Sequence, residues 1–284
     1  MNVKTHTLWS RARSRLWRDT AGMTGLAVVL LFAVMALGVV LGLWGTNWAE
    51  IEGNRFAPIS SQFWFGANIN GQDIFARTVY STRTAFEVGL SVALLSTLLG
   101  AVLGAISGFY SGTWLDAIAL WLMGVLDAIP FYLFVAAVAY ALQGHPYGMH
   151  VAMVATFWTT TARLVRGEVI KLKQLEFVES ARAIGVSDLV ITFRHILPNT
   201  NHILLVQATI VFVAAIKSEV ILSFLGLGIQ DGVSWGSMLA EATLEVSAGH
   251  LNNFLFASLF MFVLVMAFNL FSDALQDALD PRVV

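Results

Sequence analysis

There is no cysteine among the 284 residues, which excludes disulfides, thiolate metal sites and cysteine nucleophiles. Charge is scarce as well: 12% of residues are charged against 57% hydrophobic, and the mean hydropathy is +0.75. A soluble fold of this length needs far more polar surface to cover its core, so the composition predicts an integral membrane protein, and the long apolar segments below make it all-α. A net charge of −2 gives no reason to expect nucleic acid as a partner. No phosphate-binding loop of the form G-x-x-x-x-G-K-[ST] occurs, so ATP hydrolysis is not expected in this chain. His6, His145, His150, His195, His202 and His250 show no metal-ligand spacing on a shared face, and no Ser/His/Asp set is evident. Neither a metal site nor a catalytic residue is expected.

What is abundant is long apolar sequence. A helix needs about 20 apolar residues to cross hydrocarbon roughly 30 Å thick. Six segments meet that rule: 22–44, 88–109, 115–142, 148–165, 200–225 and 251–271. The third and fourth are separated only by Gln143-Gly-His-Pro-Tyr147, a tight turn. The first follows Lys4, Arg11, Arg13, Arg15 and Arg18 and belongs to a stretch without charge from Thr20 to Ala49. That stretch is too long for the apolar part of a signal peptide, so a retained helix with a cytoplasmic N-terminus is expected. With six spans, and with Arg163 at the membrane edge counted as inside, the cytoplasmic side then carries twelve of the sixteen basic residues and the outside three, Arg55, Arg77 and Arg83, while Lys217 falls within a span. Positive charge favours the cytoplasmic side, so both termini are expected there.

The most polar internal stretch therefore falls in the cytoplasm. It reads Glu176-Phe-Val-Glu179-Ser-Ala181-Arg182-Ala183-Ile-Gly185, then nine residues, then His195-Ile-Leu-Pro198. Good helix formers run to Gly185, which can take positive φ and stop the helix; Ser187 or Asp188 supplies the next N-cap. The small Ala181 allows close approach to a partner groove, and Pro198 marks the start of the fifth span. The pattern resembles the cytoplasmic EAA loop of bacterial ABC-importer permeases.

Further segments resemble the second permease subunit of dipeptide, oligopeptide and nickel importers. Phe63-Trp-Phe-Gly66 with Asn70-Gly-Gln72-Asp73-Ile-Phe-Ala-Arg77 resembles that family's WFGTDxxGRDxxSR segment. Trp158, Ala162, Arg163 and Arg166 match W-x-x-x-A-R-x-x-R; Ser223–Gly228 with Ser234-Trp-Gly236 matches LSFLGLG…SWG; Asn269 to Arg282 matches NLxGDxLxDxLDPR. Departures are Gln72 for Arg, Ala67 for Thr, Ser180 for the second Ala of EAA, and a short extracellular Pro stretch reduced to Phe56-Ala-Pro58.

The resemblance implies a type I ABC-importer permease fold in the bacterial inner membrane. Residues 1–60 would hold the N-terminal tail, first span and start of the outer loop; residues 61–284 would hold the five-span core with its coupling loop at 168–198. It implies a homologous permease as heterodimer partner, an extracytoplasmic binding protein, and two ATPase subunits that bind the ATP and Mg while this chain binds neither. Transport would follow alternating access, with peptides as the expected cargo and nickel or oligosaccharide as the alternative. A secondary transporter predicts inverted repeats and ion-binding carboxylates, and an intramembrane enzyme predicts paired catalytic residues within spans.

Three further groups stand out. Gly100, Gly104 and Gly108 share one face of the second span, a spacing that lets helices pack backbone to backbone in lipid. Asp127 sits three residues before Pro130, where a kink is expected, and is a candidate for the pathway or an interhelical contact. Lys217 and Glu219 fall inside the fifth span, where charges face a bundle interior or water, with a snorkelling lysine as the alternative.

Overall fold

The computed structural model describes residues 14–142, 145, 147–229 and 231–279. Lys4, Arg11, Arg13, most of the 143–146 turn and the terminal Asp280-Pro-Arg282 lie outside the described residues. The helices are α1 (Thr20–Val40), α2 (Ile74–Phe109), α3 (Trp114–Ala128), α4 (Phe131–Ala141), α5 (Gly148–Leu172), α6 (Glu176–Ala183), α7 (Asn201–Phe224), α8 (Trp235–Ser247) and α9 (Asn252–Leu279). Among the described residues no strand forms; one isolated bridge pairs Ala67 with Asp73. The fold is all-α.

Among the described residues, four helical runs are long and apolar enough to cross a membrane: Thr20–Val40, Ile74–Phe109, Asp188–Phe224 and Asn252–Leu279. A fifth arises if α3 and α4 together count as one broken span. The third candidate segment was expected as a kinked helix, but the axis turns by 93° between α3 and α4. The cause is local. Pro130 disfavours helical geometry at the residue before it, and Ile129 is extended at φ −88°, ψ 129°. The fourth candidate segment becomes α5, which is not among the apolar runs because Thr156, Thr159, Thr160, Thr161, Arg163, Arg166 and Glu168 interrupt it. Such a helix is tolerated because protein covers much of it: Trp158, Thr159, Thr161, Ala162, Val165 and Val169 are buried.

Two compact units divide the chain, Met1–Gly89 with Val213–Val284, and Leu90–Phe212, the division falling inside α2 and α7. In the first, α1 lies against α9 so closely that a Cβ on Gly25 would stand 2.5 Å from the Ala267 carbonyl oxygen. Leu30, Leu31, Val34 and Leu37 on α1 stay exposed while Val29, Phe32 and Ala36 are buried. A helix apolar on every face suits one flank on protein and the other on lipid. Phe65 stacks on Phe256 at 3.7 Å, Trp235 donates through Nε1 to the Thr78 carbonyl (3.1 Å), and Thr84 donates to the Val233 carbonyl (2.8 Å). These contacts tie the 63–77 and 233–236 segments into this unit. The second unit is built on α2, α3, α4 and α5 with the 173–200 segment.

Candidate functional site

The segment after α5 forms a helix, a turn and a second helical run. Helix α6 ends at Ala183, and Gly185 takes φ +82° and donates to the Arg182 carbonyl at 2.9 Å. Ser187 occupies the next N-cap position without a side-chain cap bond. The chain then stays helical through a wide turn at Ile191–Ile196 and a tight one at Leu197–Thr200 into α7. Pro198 therefore lies inside a helical run rather than before it. It tolerates this because the first residues of a helical turn do not need their N–H.

The inner side of this knob is apolar and buried. Val178, Ala181, Ile191 and Ile196 pack with Ala105, Phe109, Val165 and Val169 in one cluster. Ala181 was expected to open onto a partner; instead it is only 7% exposed and its close approach is to this unit's own core. Lys173 donates to the Phe109 carbonyl (3.0 Å) and the Ser111 hydroxyl (2.8 Å), placing a cation on the C-terminal end of α2. Arg182 lies over the Phe109 ring at 5.4 Å and 3.8 Å from Asp188. Outward, Leu175, Phe177, Ile184, Leu189 and Val190 are exposed, Ile184 at 81%, among Glu176, Glu179, Arg182 and Asp188. Ala183 and Gly185 are exposed too, and His195 is half-buried, its carbonyl accepting from Asn199 at 2.7 Å.

The three glycines of α2 meet α5 directly. A Cβ on Gly100 would lie 2.7 Å from the Trp158 carbonyl oxygen, on Gly104 2.5 Å from that of Ala162, and on Gly108 2.7 Å from that of Arg166. Trp158, Ala162 and Arg166 of the W-x-x-x-A-R-x-x-R pattern thus lie on the mating face of the glycine stripe, whereas Arg163 does not. Arg166 grips Asp116 on α3 with two bonds, 2.7 and 2.8 Å, while Ser107 (2.6 Å) and the Gly112 amide (2.9 Å) donate to the same carboxylate. Nothing local in the sequence pointed to Asp116, whose partner is fifty residues away. Asp127 pairs with Arg163 and accepts from Thr159 at 3.2 Å.

Lys217 and Glu219 part company. Lys217 is exposed, whereas Glu219 is 3% exposed and accepts from the Ser223 hydroxyl at 2.5 Å, with Ser234 as a further hydrogen-bond partner. Among the described residues they form no ion pair with each other. Lys217→Met is expected to change stability by less than about 0.5 kcal/mol, whereas Glu219→Leu strands two hydroxyls at about 1–3 kcal/mol. The double variant should equal the sum within about 0.5 kcal/mol, read from thermal midpoints in detergent. A double variant more stable than Glu219→Leu alone would show a coupling that the side chains do not display.

A second polar cluster lies in the same unit as Glu219. Arg77 binds both oxygens of Glu241 (2.6 and 2.8 Å) and the Gln72 oxygen (2.5 Å). Asn68 donates to Gln72 at 2.9 Å, and Glu245 accepts from the Ile69 amide at 2.8 Å. Gln72, which departs from the family pattern, thus serves as an acceptor for Arg77.

Comparison with known proteins adds to this geometry. Residues 100–284 match the family described as binding-protein-dependent transport system inner membrane component. The chain is similar to the dipeptide transport system permease protein DppC of Bacillus subtilis, 36% identical over 272 residues, 95% of this chain and 84% of the relative. It is similar to the oligopeptide transport system permease protein OppC of Escherichia coli, 37% identical over 290 residues, 99% and 94% of the two chains. It is also similar to the glutathione transport system permease protein GsiD of Shigella flexneri, 39% identical over 285 residues, 98% and 90% of the two chains.

Proposed function

The chain belongs to the binding-protein-dependent transport system inner membrane components, and from that premise we propose that its 173–198 knob couples a separate ATPase to peptide movement through the membrane. The observation that carries this reading is the two-sided character of the knob. Its outer side presents Leu175, Phe177, Ile184, Leu189 and Val190 in a rim of Glu176, Glu179, Arg182 and Asp188. Its inner side is locked by Val178, Ala181, Ile191 and Ile196 onto α2 and α5. An apolar patch rimmed by charge is the anatomy of a docking surface. A knob fixed to two long helices carries force into them, where a loose linker absorbs it.

In this reading ATP and Mg sit in two partner ATPase subunits, and this chain stays non-catalytic. It pairs with a homologous permease, receives cargo from an extracytoplasmic binding protein, and alternates between outward and inward access as the motors close and reset. Six spans with both termini and Ser180 in the cytoplasm complete the arrangement, the 93° break between α3 and α4 forming part of the third. Peptides are favoured over nickel or oligosaccharide as cargo, since dipeptide, oligopeptide and glutathione permeases are the relatives at 36–39% identity.

The test is Ile184→Asp with Phe177→Ser, two exposed side chains whose loss leaves the buried cluster intact. Central apolar anchors of an interface are worth about 2 kcal/mol or more each, so capture of the ATPase by the membrane-inserted complex should fall by at least roughly thirtyfold. Uptake should fall with it. A variant that keeps both its ATPase and normal uptake would remove this surface from the coupling. Ser180→Cys in the cysteine-free chain reports the side: labelling from outside intact cells by an impermeant reagent contradicts the orientation.

A further inference from the structure

Helices α3 and α5 are joined by two ion pairs of the same chemistry and very different setting. Asp116 and Arg166 are 5% and 23% exposed, and the Asp116 carboxylate is saturated by Ser107, Gly112 and two guanidinium bonds. Asp127 and Arg163 are 45% and 49% exposed. Arg163 reaches Asp127 through one nitrogen, Nη2, and Thr159 supplies one more bond. Both partners keep hydrogen-bonding capacity to spare.

Their place makes that exposure informative. Asp127 is the only Asp, Glu, Lys or Arg from residue 117 to residue 162. It lies eleven residues along α3 from Asp116, about 16 Å at 1.5 Å per residue. It precedes by two residues the break at Ile129, in a pair of helices apolar enough to form one span. Charges within such a span do not face hydrocarbon; their open side faces water or a polar partner. An ion pair open to water holds together only weakly, so a ligand that replaces each partner's counter-charge displaces it at little loss. The required ligand carries one cation and one anion a short distance apart. A dipeptide fits: its ends are separated by at most about 7 Å when extended.

We propose that Asp127 and Arg163 form a binding site for the charged termini of a peptide inside the membrane-spanning part of the chain, Asp127 taking the α-ammonium and Arg163 the α-carboxylate. This rests on the reading of the chain as a peptide importer. The guanidinium suits a carboxylate because its fork offers two parallel donors. Thr159 holds the aspartate in place while its arginine partner turns to the ligand. Longer peptides engage by whichever end reaches the pair.

Gly124 provides the probe. It precedes Asp127 by one helical turn, is exposed, and an added Cβ there meets no atom within 4 Å. In the purified complex with its ATPases, Gly124→Cys is labelled with a hydrophilic thiol reagent, without binding protein and without nucleotide. Labelling is expected, slowed at least about tenfold by saturating dialanine and unchanged by its N-acetylated, C-amidated form. Adding Asp127→Asn should abolish the protection, whereas Arg163→Lys, which keeps the charge, should retain part of it. No labelling in the assembled complex would mean that a partner subunit covers the pair, and overturns the site. So does protection that is absent, equal for both peptides, or indifferent to Asp127→Asn. Peptide uptake by the unaltered complex in proteoliposomes is measured in parallel. If that fails, the importer reading fails with it; if it succeeds while protection is absent, only the site is lost.

Discussion

Replacing Gly104 with leucine is expected to eliminate the folded protein, and even Gly104→Ala should destabilise it. In an isolated helix alanine is preferred to glycine by about 1 kcal/mol, so propensity alone predicts a gain. Packing reverses the sign. The added Cβ would stand 2.5 Å from the Ala162 carbonyl oxygen and 2.9 Å from its Cα, both backbone atoms of α5 that have no rotamer to yield. Overpacking of this kind costs about 1–3 kcal/mol for small additions and more for a whole isobutyl group. Gly124→Ala is the matched control, since nothing lies within 4 Å of its new methyl. It should be neutral or stabilising by up to about 1 kcal/mol. Thermal midpoints in detergent, with monodispersity on gel filtration, give the readout. Equal midpoints for Gly104→Ala and Gly124→Ala would contradict a backbone-to-backbone contact between α2 and α5 at Gly104.

The second large effect is expected at Arg166. Removing it strands the Asp116 carboxylate, 5% exposed, with only Ser107 and the Gly112 amide as donors. Breaking a buried pair from one side costs about 3–5 kcal/mol, because a charge is left without its counter-charge. Arg166→Met should therefore lower the yield of folded protein sharply. Arg166→Met combined with Asp116→Leu should recover part of the loss, since an apolar pair of similar volume leaves no charge behind. The interaction energy from the four variants measures the coupling directly. Additive losses would show that Arg166 acts through its packing against α2 and not through Asp116. The same cycle at Asp127 and Arg163 should give a coupling below about 1 kcal/mol, as expected of a pair near half exposure.

The sequence alone determined what local chemistry decides. Runs of apolar residues placed α1, α7 and the start of α9 within a few residues, because length and hydropathy are properties of contiguous chain, while α9 runs eight residues past the expected end to Leu279. Gly185 announced its own turn, since positive φ suits glycine and little else. The four-residue spacing of Gly100, Gly104 and Gly108 foretold a close helix contact. Pro130 marked the interruption of the third segment but not its 93° angle, which depends on what each half packs against. The start of α2 at Ile74 was also missed, fourteen residues before the apolar stretch, because its first turns are polar and are held by contacts with residues 233–241.

Which side chains meet was decided by tertiary structure. Ala181 carries no mark saying that it faces its own core rather than a partner, and only the cluster with Phe109 and Val165 settles its direction. Lys217 and Glu219 share one apolar run, and only the packed structure shows that the lysine is exposed and the glutamate sealed beside Ser223. The pairs Asp116–Arg166, Asp127–Arg163 and Arg77–Glu241 join residues 50, 36 and 164 apart. Hydropathy and helical periodicity extend over a few turns and carry no information about such partners. They are chosen when helices pack, because burying a charge is tolerated only where an opposite charge or several donors await it.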